Sequence, residues 1–227
     1  MAFLDRFETI LFDLNGTLAV GFDRFGPDQD FHATYRAVGG GTLDSERLDE
    51  IIHASWAQCL ARYASGPPDP FPDYRGFLPD LDDESLLHIE RTVAVHETGS
   101  IPPERLEWLG MLARTHRLGI VSDQWAPSGW LRHYLASSGV AAMMQAIVLS
   151  CEEGAVKPSP VLFRKALAMT GSAPRRTLFV GDSYERDVVG AAACGIETAW
   201  ISGSRQVPGR IRPSLIVPSV EALRNLE

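Results

Sequence analysis

The chain changes rhythm near residue 98. Before it, after one short apolar run, apolar residues recur every three to four positions, as on helix faces. After it, apolar runs of about five residues alternate with helical patterns. The first run, Thr9-Ile10-Leu11-Phe12, predicts a strand over 8–12, followed by a loop over 18–30 rich in Gly, Asp and Phe. Three helical patterns come next. One covers 29–38. The second starts at Asp44 or Ser45, either of which can cap it, and carries Leu48, Ile51, Ile52, Ser55, Trp56, Cys59 and Leu60 as an apolar stripe. Gly66-Pro67-Pro68 stops it, and 66–80 reads as a proline-rich loop. Asp82 or Asp83 opens the third, with Leu86, Leu87, Ile89, Val93 and Val95 as its apolar residues.

From Ser100-Ile101-Pro102-Pro103 a helix runs to near Arg117. The alternation then predicts strand 118–122, helix 127–138, strand 146–150, helix 159–170, strand 177–181, helix 185–194, strand 197–201, a short strand 215–217 and helix 219–226. Gly171 and Gly195 stand where helix C-caps want them. Short apolar strands alternating with helices specify an α/β fold with a doubly wound parallel sheet covered on both faces. The expected division is a core domain of residues 1–18 and 98–227, with 19–97 as a helical insertion. Gly39-Gly40-Gly41 follows no strand and reads as a turn between helices.

Composition narrows the function. At 227 residues, 45% of them hydrophobic, the chain can bury a full core. A net charge of −8 argues against a long nucleic-acid partner. No apolar run approaches the ~20 residues of a membrane span, and the N-terminal apolar segment is too short for a signal peptide. A cytoplasmic protein without a membrane partner is expected, as a monomer or a homodimer. Cys59, Cys151 and Cys194 are widely spaced and odd in number, which fits reduced packing residues rather than zinc ligands or a disulfide framework. The six histidines show no metal-like spacing. Lysine occurs only at 157 and 165, so each lysine stands out.

In an open parallel sheet, ligands bind beyond the carboxyl ends of the strands. Here those ends carry functional groups: Asp13 and Asn15 after the first strand, Ser122 and Asp123 after the second, Lys157-Pro158 in the loop after the third, and Gly181-Asp182-Ser183 with Asp187 after the fourth. Each suits phosphoryl transfer. A carboxylate can attack phosphorus. A second acidic group can hold a divalent cation, magnesium above all, which prefers oxygen ligands. A serine hydroxyl can hold a phosphoryl oxygen, and a lysine can offset charge that gathers in the transition state.

The ordered set Asp13-Leu14-Asn15-Gly16-Thr17, then Ser122, then Lys157-Pro158, then Gly181-Asp182-Ser183-Tyr184-Glu185-Arg186-Asp187 resembles the four motifs of the haloacid dehalogenase (HAD) superfamily. The resemblance covers the α/β part, and residues 19–97 lie where the family places a helical cap. It implies that Asp13 is the nucleophile and that magnesium is held by Asp13, Asp182 and the backbone carbonyl of Asn15. Asp187 then lies at the metal or orients Lys157. Ser122 and Lys157 bind phosphate, while Gly16, Thr17 and Asp123 shape the phosphate and metal loop. The implied substrate is a small phosphorylated metabolite.

One position departs from that pattern. The family's phosphatases carry a second aspartate where Asn15 stands; it protonates the leaving alcohol and then activates water. An amide does neither, a loss of about 10²–10⁴ in rate. Three readings stay open: a slow or specialised phosphatase, a branch with other chemistry such as dehalogenation, and a non-catalytic binder of a phosphorylated ligand or partner. The family's dehalogenases lack the metal-binding Gly-Asp pair that this chain keeps at 181–182. A Schiff-base phosphonatase needs a cap lysine, and residues 1–150 contain none. Around the cap, Phe22, Arg24, His32, Tyr35, Arg36 and Trp56 are candidates to meet substrate, although the stripe position of Trp56 favours a core role; Trp125 is a candidate for the pocket mouth.

Overall fold

The computed structural model describes residues 3–22, 25–26, 28–64, 78–204 and 206–226. Arg24, and the segment 66–77 of the expected proline-rich loop, lie outside the described residues.

Six parallel strands form one sheet in the order β3-β2-β1-β4-β5-β6. They are β1 (Thr9–Phe12), β2 (Arg117–Ser122), β3 (Met144–Leu149), β4 (Thr177–Gly181), β5 (Glu197–Ile201) and β6 (Leu215–Val217). β1 is central, in register with both neighbours: Phe12 stands opposite Ile120 on β2 and Val180 on β4. All four residues of β1 are buried, as a strand covered on both faces requires. The carboxyl ends of β1, β2 and β4 therefore open on one edge, which brings the far-separated Asp13, Ser122 and Asp182 to neighbouring strand ends.

Helices cover both faces. On one side α4 (Pro103–Leu112) and α5 (Ser128–Ser137) bring Trp108, Leu109, Leu112, Leu131 and Leu135 against Ile10, Phe12, Ile120 and Val180. On the other, α7 (Pro160–Thr170) brings Leu162, Phe163, Ala166 and Leu167 against Leu11, Val121, Val148 and Phe179. Ser159 caps α7 and Pro160 opens it, where a missing N–H costs nothing. Gly171 ends α7 in the left-handed conformation, and Gly195 also has a positive φ.

The insertion holds α1 (Phe31–Ala37), α2 (Ser45–Ala64) and α3 (Asp83–Glu97). The caps are Asp30 for α1, Asp44 for α2 and Asp82 for α3, each accepting a backbone N–H three residues on. Phe31, Tyr35, Leu48, Ile51, Ile52, Cys59, Ile89 and Val93 form a separate cluster, joined by Trp125 and Ala126 from the loop after β2.

Several elements differ from expectation. The predicted helix 185–194 is a π-helical turn, Tyr184–Val189, followed by α8 (Gly190–Ala193). The wider turn puts Asp187 and Ser183 close enough for the Ser183 N–H to reach the Asp187 carboxylate, and such turns recur at functional sites. The last helix is a 3₁₀ helix, Val220–Leu226. Ser150 belongs not to β3 but to a short helix, α6 (Ser150–Glu153). Leu87 and Val95 are exposed, because the stripe that faces the insertion core is the narrower set containing Ile89 and Val93. The three cysteines are free. Among the described residues no helix is long and apolar enough to cross a membrane.

Candidate active site

Asp13 extends β1 by one residue. Its own N–H still bonds to Val180 of β4, so the sheet fixes the backbone from which the carboxylate projects. Gly16 follows at φ 88°, a region that side chains disfavour. A Cβ there would collide with the Asp182 carboxylate, so glycine lets the loop close against β4. Leu14 O accepts from Leu18 N and Ala19 N, tightening the turn. Arg105 of α4 braces it from below. Its guanidinium donates to Thr17 O and Leu18 O, both at 2.9 Å, and pairs with Glu221.

Lys157 sits at the centre. Its ammonium donates to Asp13 Oδ1 at 2.6 Å and to Asp187 Oδ1 at 2.7 Å, and the three residues are 2%, 6% and 1% exposed. The loop that carries Lys157 is pinned where its N–H donates to Asp123 Oδ1 at 2.9 Å. The second oxygen of Asp187 accepts the Ser183 N–H at 2.9 Å, so both of its oxygens are engaged. Gly181 makes room for it, since a Cβ there would overlap the Asp187 carboxylate.

The charges are mutually dependent. Burial pushes the Asp13 carboxyl up to about 7, against the pull of Lys157 and with a further push from Asp187. Burial works against the Lys157 charge, yet Asp13, Asp187 and Asp123 hold it protonated well above the usual lysine range. Asp182 is raised by burial and then by Asp187, and Asp123 by burial despite Lys157. Four carboxylates around one ammonium leave an excess of negative charge. That excess is what a divalent cation would relieve.

One oxygen each of Asp13, Asp182 and Asp187 lie within 4.8 Å of one another. Asp182 Oδ1 is buried with no hydrogen-bond partner. An all-oxygen set with an orphaned carboxylate oxygen suits a hard cation such as magnesium. Asp187 is the least available of the three, because both its oxygens accept close hydrogen bonds, at 2.7 and 2.9 Å, whereas the second oxygen of Asp13 has only the Thr17 hydroxyl at 3.5 Å.

Above this floor lies a cavity of about 520 Å³, lined by Asp13, Asn15, Ser122, Asp123, Asp182 and Arg186 below and by Phe22, Phe25, Trp56, Leu60 and Trp125 above, with Glu97 also on its lining. Ser122 is buried at its base, where its hydroxyl donates to Asp123 O at 3.2 Å. Thr17 is buried beside Asp13, with Oγ1 3.5 Å from Asp13 Oδ2. Asn15 reaches towards the insertion. Its Nδ2 donates to Glu97 O at 3.1 Å, while Oδ1 is buried without a partner.

Of the expected insertion contacts, Phe22 and Trp56 line the cavity; Tyr35 does not, being packed in the insertion core with its hydroxyl 2.9 Å from Thr42. His32 and Arg36 do not line it either. Trp56 is half-buried and faces the cavity rather than only the core, because its helix stripe spans both. His53, His96 and His116 bond to Gly26 O, the Thr34 hydroxyl and Leu4 O.

Glu97 is the main residue that sequence reasoning missed. It ends α3, and its carboxylate accepts the N–H groups of Trp125 (2.6 Å) and Ala126 (2.8 Å) and the side-chain amide of Gln124. Burial raises it to about 7, although the two amides pull it down. It ties the insertion to the loop after β2. Nothing local in the sequence marks it, because its partners lie 27 to 29 residues away. Phe25 was missed too. It takes φ 52°, a left-handed backbone that costs a side-chain residue about 1–2 kcal/mol.

A buried carboxylate at the end of a central parallel strand, a buried lysine from a distant loop and an acidic pair after the fourth strand fit a hydrolase of the α/β class with a helical insertion over the site. Residues 10–201 match the haloacid dehalogenase-like hydrolase family, and the chain belongs to it. It is 29% identical to the pyrimidine 5′-nucleotidase YjjG of Escherichia coli over 126 residues, about half of each chain (55%). It is 25% identical to the glyceraldehyde 3-phosphate phosphatase of Methanopyrus kandleri over 97% of this chain and 94% of that one. A solved 2-haloacid dehalogenase of Pseudomonas syringae shares the fold, with a TM-score of 0.65 at 19% identity over 97% of each chain. The fold thus serves both chemistries, and the site residues decide between them.

Proposed function

We propose that the protein is a magnesium-dependent phosphatase that cleaves a small phosphorylated metabolite through an acyl phosphate on Asp13. The observation that carries this reading is the Asp13–Lys157–Asp187 ion network with the open Asp182 oxygen beside it. The phosphatase relatives support the same reading.

Asp13 attacks phosphorus and forms the acyl phosphate, while the ester oxygen leaves with its electron pair. Water then attacks the same phosphorus and frees Asp13 and orthophosphate. Lys157 stays charged through both steps and faces the phosphoryl oxygens from the Asp13 side; Asp187 holds it there. Ser122, at the base of the cavity, donates its hydroxyl to a phosphoryl oxygen once it turns from Asp123 O. Asp13, Asp182 and the Asn15 carbonyl would hold magnesium, whose charge offsets repulsion between an anionic nucleophile and an anionic substrate. The insertion acts as a cap over the leaving group.

The test is turnover of a phosphate-ester panel with magnesium and with EDTA, joined to mass mapping of Asp13 after borohydride trapping. Magnesium-dependent phosphate release and a trapped product at Asp13, absent in Asp13→Asn, are expected. Phosphate binding with neither turnover nor labelling would favour the non-catalytic reading. The engaged Asn15 amide is the observation on which that second reading rests.

A further inference from the structure

We propose that the leaving group is aromatic: the substrate is a phosphate ester of a phenol-type hydroxyl, whose ring rests on the aromatic wall beneath α2. This rests on the phosphatase reading and deepens it.

Two independent observations meet in the cavity. The first is the wall. The rings of Phe25, Trp56 and Trp125 touch pairwise, with centroids 4.8 to 5.0 Å apart, and all three line the cavity opposite Asp13. Phe22 and Leu60 extend the apolar surface. Among the described lining residues Arg186 is the cation, and it belongs to the floor, 3.2 Å from the Ser183 hydroxyl and 3.8 Å from Asp123. These described side chains make a wall that suits a flat apolar group, and the Glu97 carboxylate that also lines the cavity is taken up by the N–H groups of Trp125 and Ala126.

The second is Asn15. An alkyl phosphate needs a proton on its departing oxygen, and an amide supplies none. A phenol loses its proton near pH 10, so a phenolate departs with the electron pair of the broken P–O bond and takes a proton from water afterwards. The Asp13 oxygen forms the new bond to phosphorus. Water later displaces Asp13, and its proton passes to the released phosphate. Overall, ester and water give phenol and orthophosphate.

Four substrates separate the two features: phenyl phosphate (ring and weakly basic leaving group), benzyl phosphate (ring only), acetyl phosphate (weakly basic leaving group only) and glycerol phosphate (neither). With magnesium present, kcat/KM for phenyl phosphate should exceed that for benzyl phosphate by about 10²-fold or more, the usual worth of a general acid. Asn15→Asp should narrow that gap at least tenfold. Trp56→Ala should lower kcat/KM for phenyl phosphate about threefold to tenfold more than for acetyl phosphate, a ratio that a general loss of folded enzyme leaves unmoved. The inference is overturned, with the phosphatase reading intact, if Asp13 is phosphorylated but benzyl or glycerol phosphate is cleaved as well as phenyl phosphate. It is also overturned if Trp56→Ala affects phenyl and acetyl phosphate alike. No turnover of any of the four, and no label on Asp13, sinks the underlying phosphatase reading instead.

Discussion

Lys157→Met removes the ammonium from between two buried carboxylates and keeps the side chain's bulk. The wild-type ammonium lies 2.6 Å from Asp13 and 2.7 Å from Asp187. Breaking a buried pair by deleting one partner costs about 3–5 kcal/mol, a large part of the 5–15 kcal/mol that typically holds a domain. The deficit should depend on pH. Lys157 titrates above the usual lysine range, so it stays charged throughout pH 5–8.5 and adds no slope there. Asp13 already stands near 7 with Lys157 pulling it down, so deleting the lysine raises it further. A carboxyl raised above its unfolded value takes up a proton on folding, and its penalty grows as pH rises and fades as pH falls. The two proteins differ only above about pH 7, where wild-type Asp13 ionises and the variant's does not. Urea unfolding in EDTA should therefore show the variant about 3–5 kcal/mol less stable at pH 8.5, where Lys157 is still charged, and closer to wild type at pH 5. Adding Asp187→Asn should destabilise the wild type but recover stability in the variant, a coupling above about 1 kcal/mol. A deficit under about 1 kcal/mol, or one equal at both pH values, would refute the electrostatic account of the site.

Glu97→Gln tests the second buried acid. Its folded value of about 7 lies above the ordinary 4.5, so wild-type stability from this group falls as pH rises between them. At 1.36 kcal/mol per unit, wild type should lose about 3 kcal/mol relative to the variant from pH 4.5 to 7, read from paired urea titrations; a constant difference contradicts it. Gly16→Ala forces a side chain into φ 88° and onto the Asp182 carboxylate. It should cost upward of about 1 kcal/mol in stability and raise the magnesium concentration for half-maximal turnover. An unchanged metal titration would mean that the loop yields without moving Asp182.

The alternation after residue 98 exposed the parallel sheet because buried strands and amphipathic helices leave different periods. The strand-end groups Asp13, Ser122, Lys157 and Asp182 were legible for the same reason: in such a sheet, the carboxyl ends converge. What stayed hidden depends on distant partners. Glu97 reads as one more acid at a helix end until α3 is packed on the loop after β2. Arg105 reads as a surface arginine until α4 lies beneath the Thr17 and Leu18 carbonyls. Trp56 shows the limit of periodicity: a stripe says which face is covered, not whether neighbouring side chains or a cavity cover it.

Asn15 makes the same point where it matters most. In sequence it is a lost acid. In the structure its amide donates to the Glu97 carbonyl, and the Glu97 side chain in turn holds the N–H groups of Trp125 and Ala126. One chain of hydrogen bonds thus joins the loop after β1, the end of the insertion and the loop after β2 that carries Trp125. A charged carboxylate at 15 has no proton to give the carbonyl and would face it as a second acceptor; only the neutral acid can replace the amide's bond. On the proposed reading, the residue that cannot protonate the leaving group is therefore also the one that ties the insertion to the loop after β1. On the same reading, a substrate that needs no such protonation lets both roles stand together.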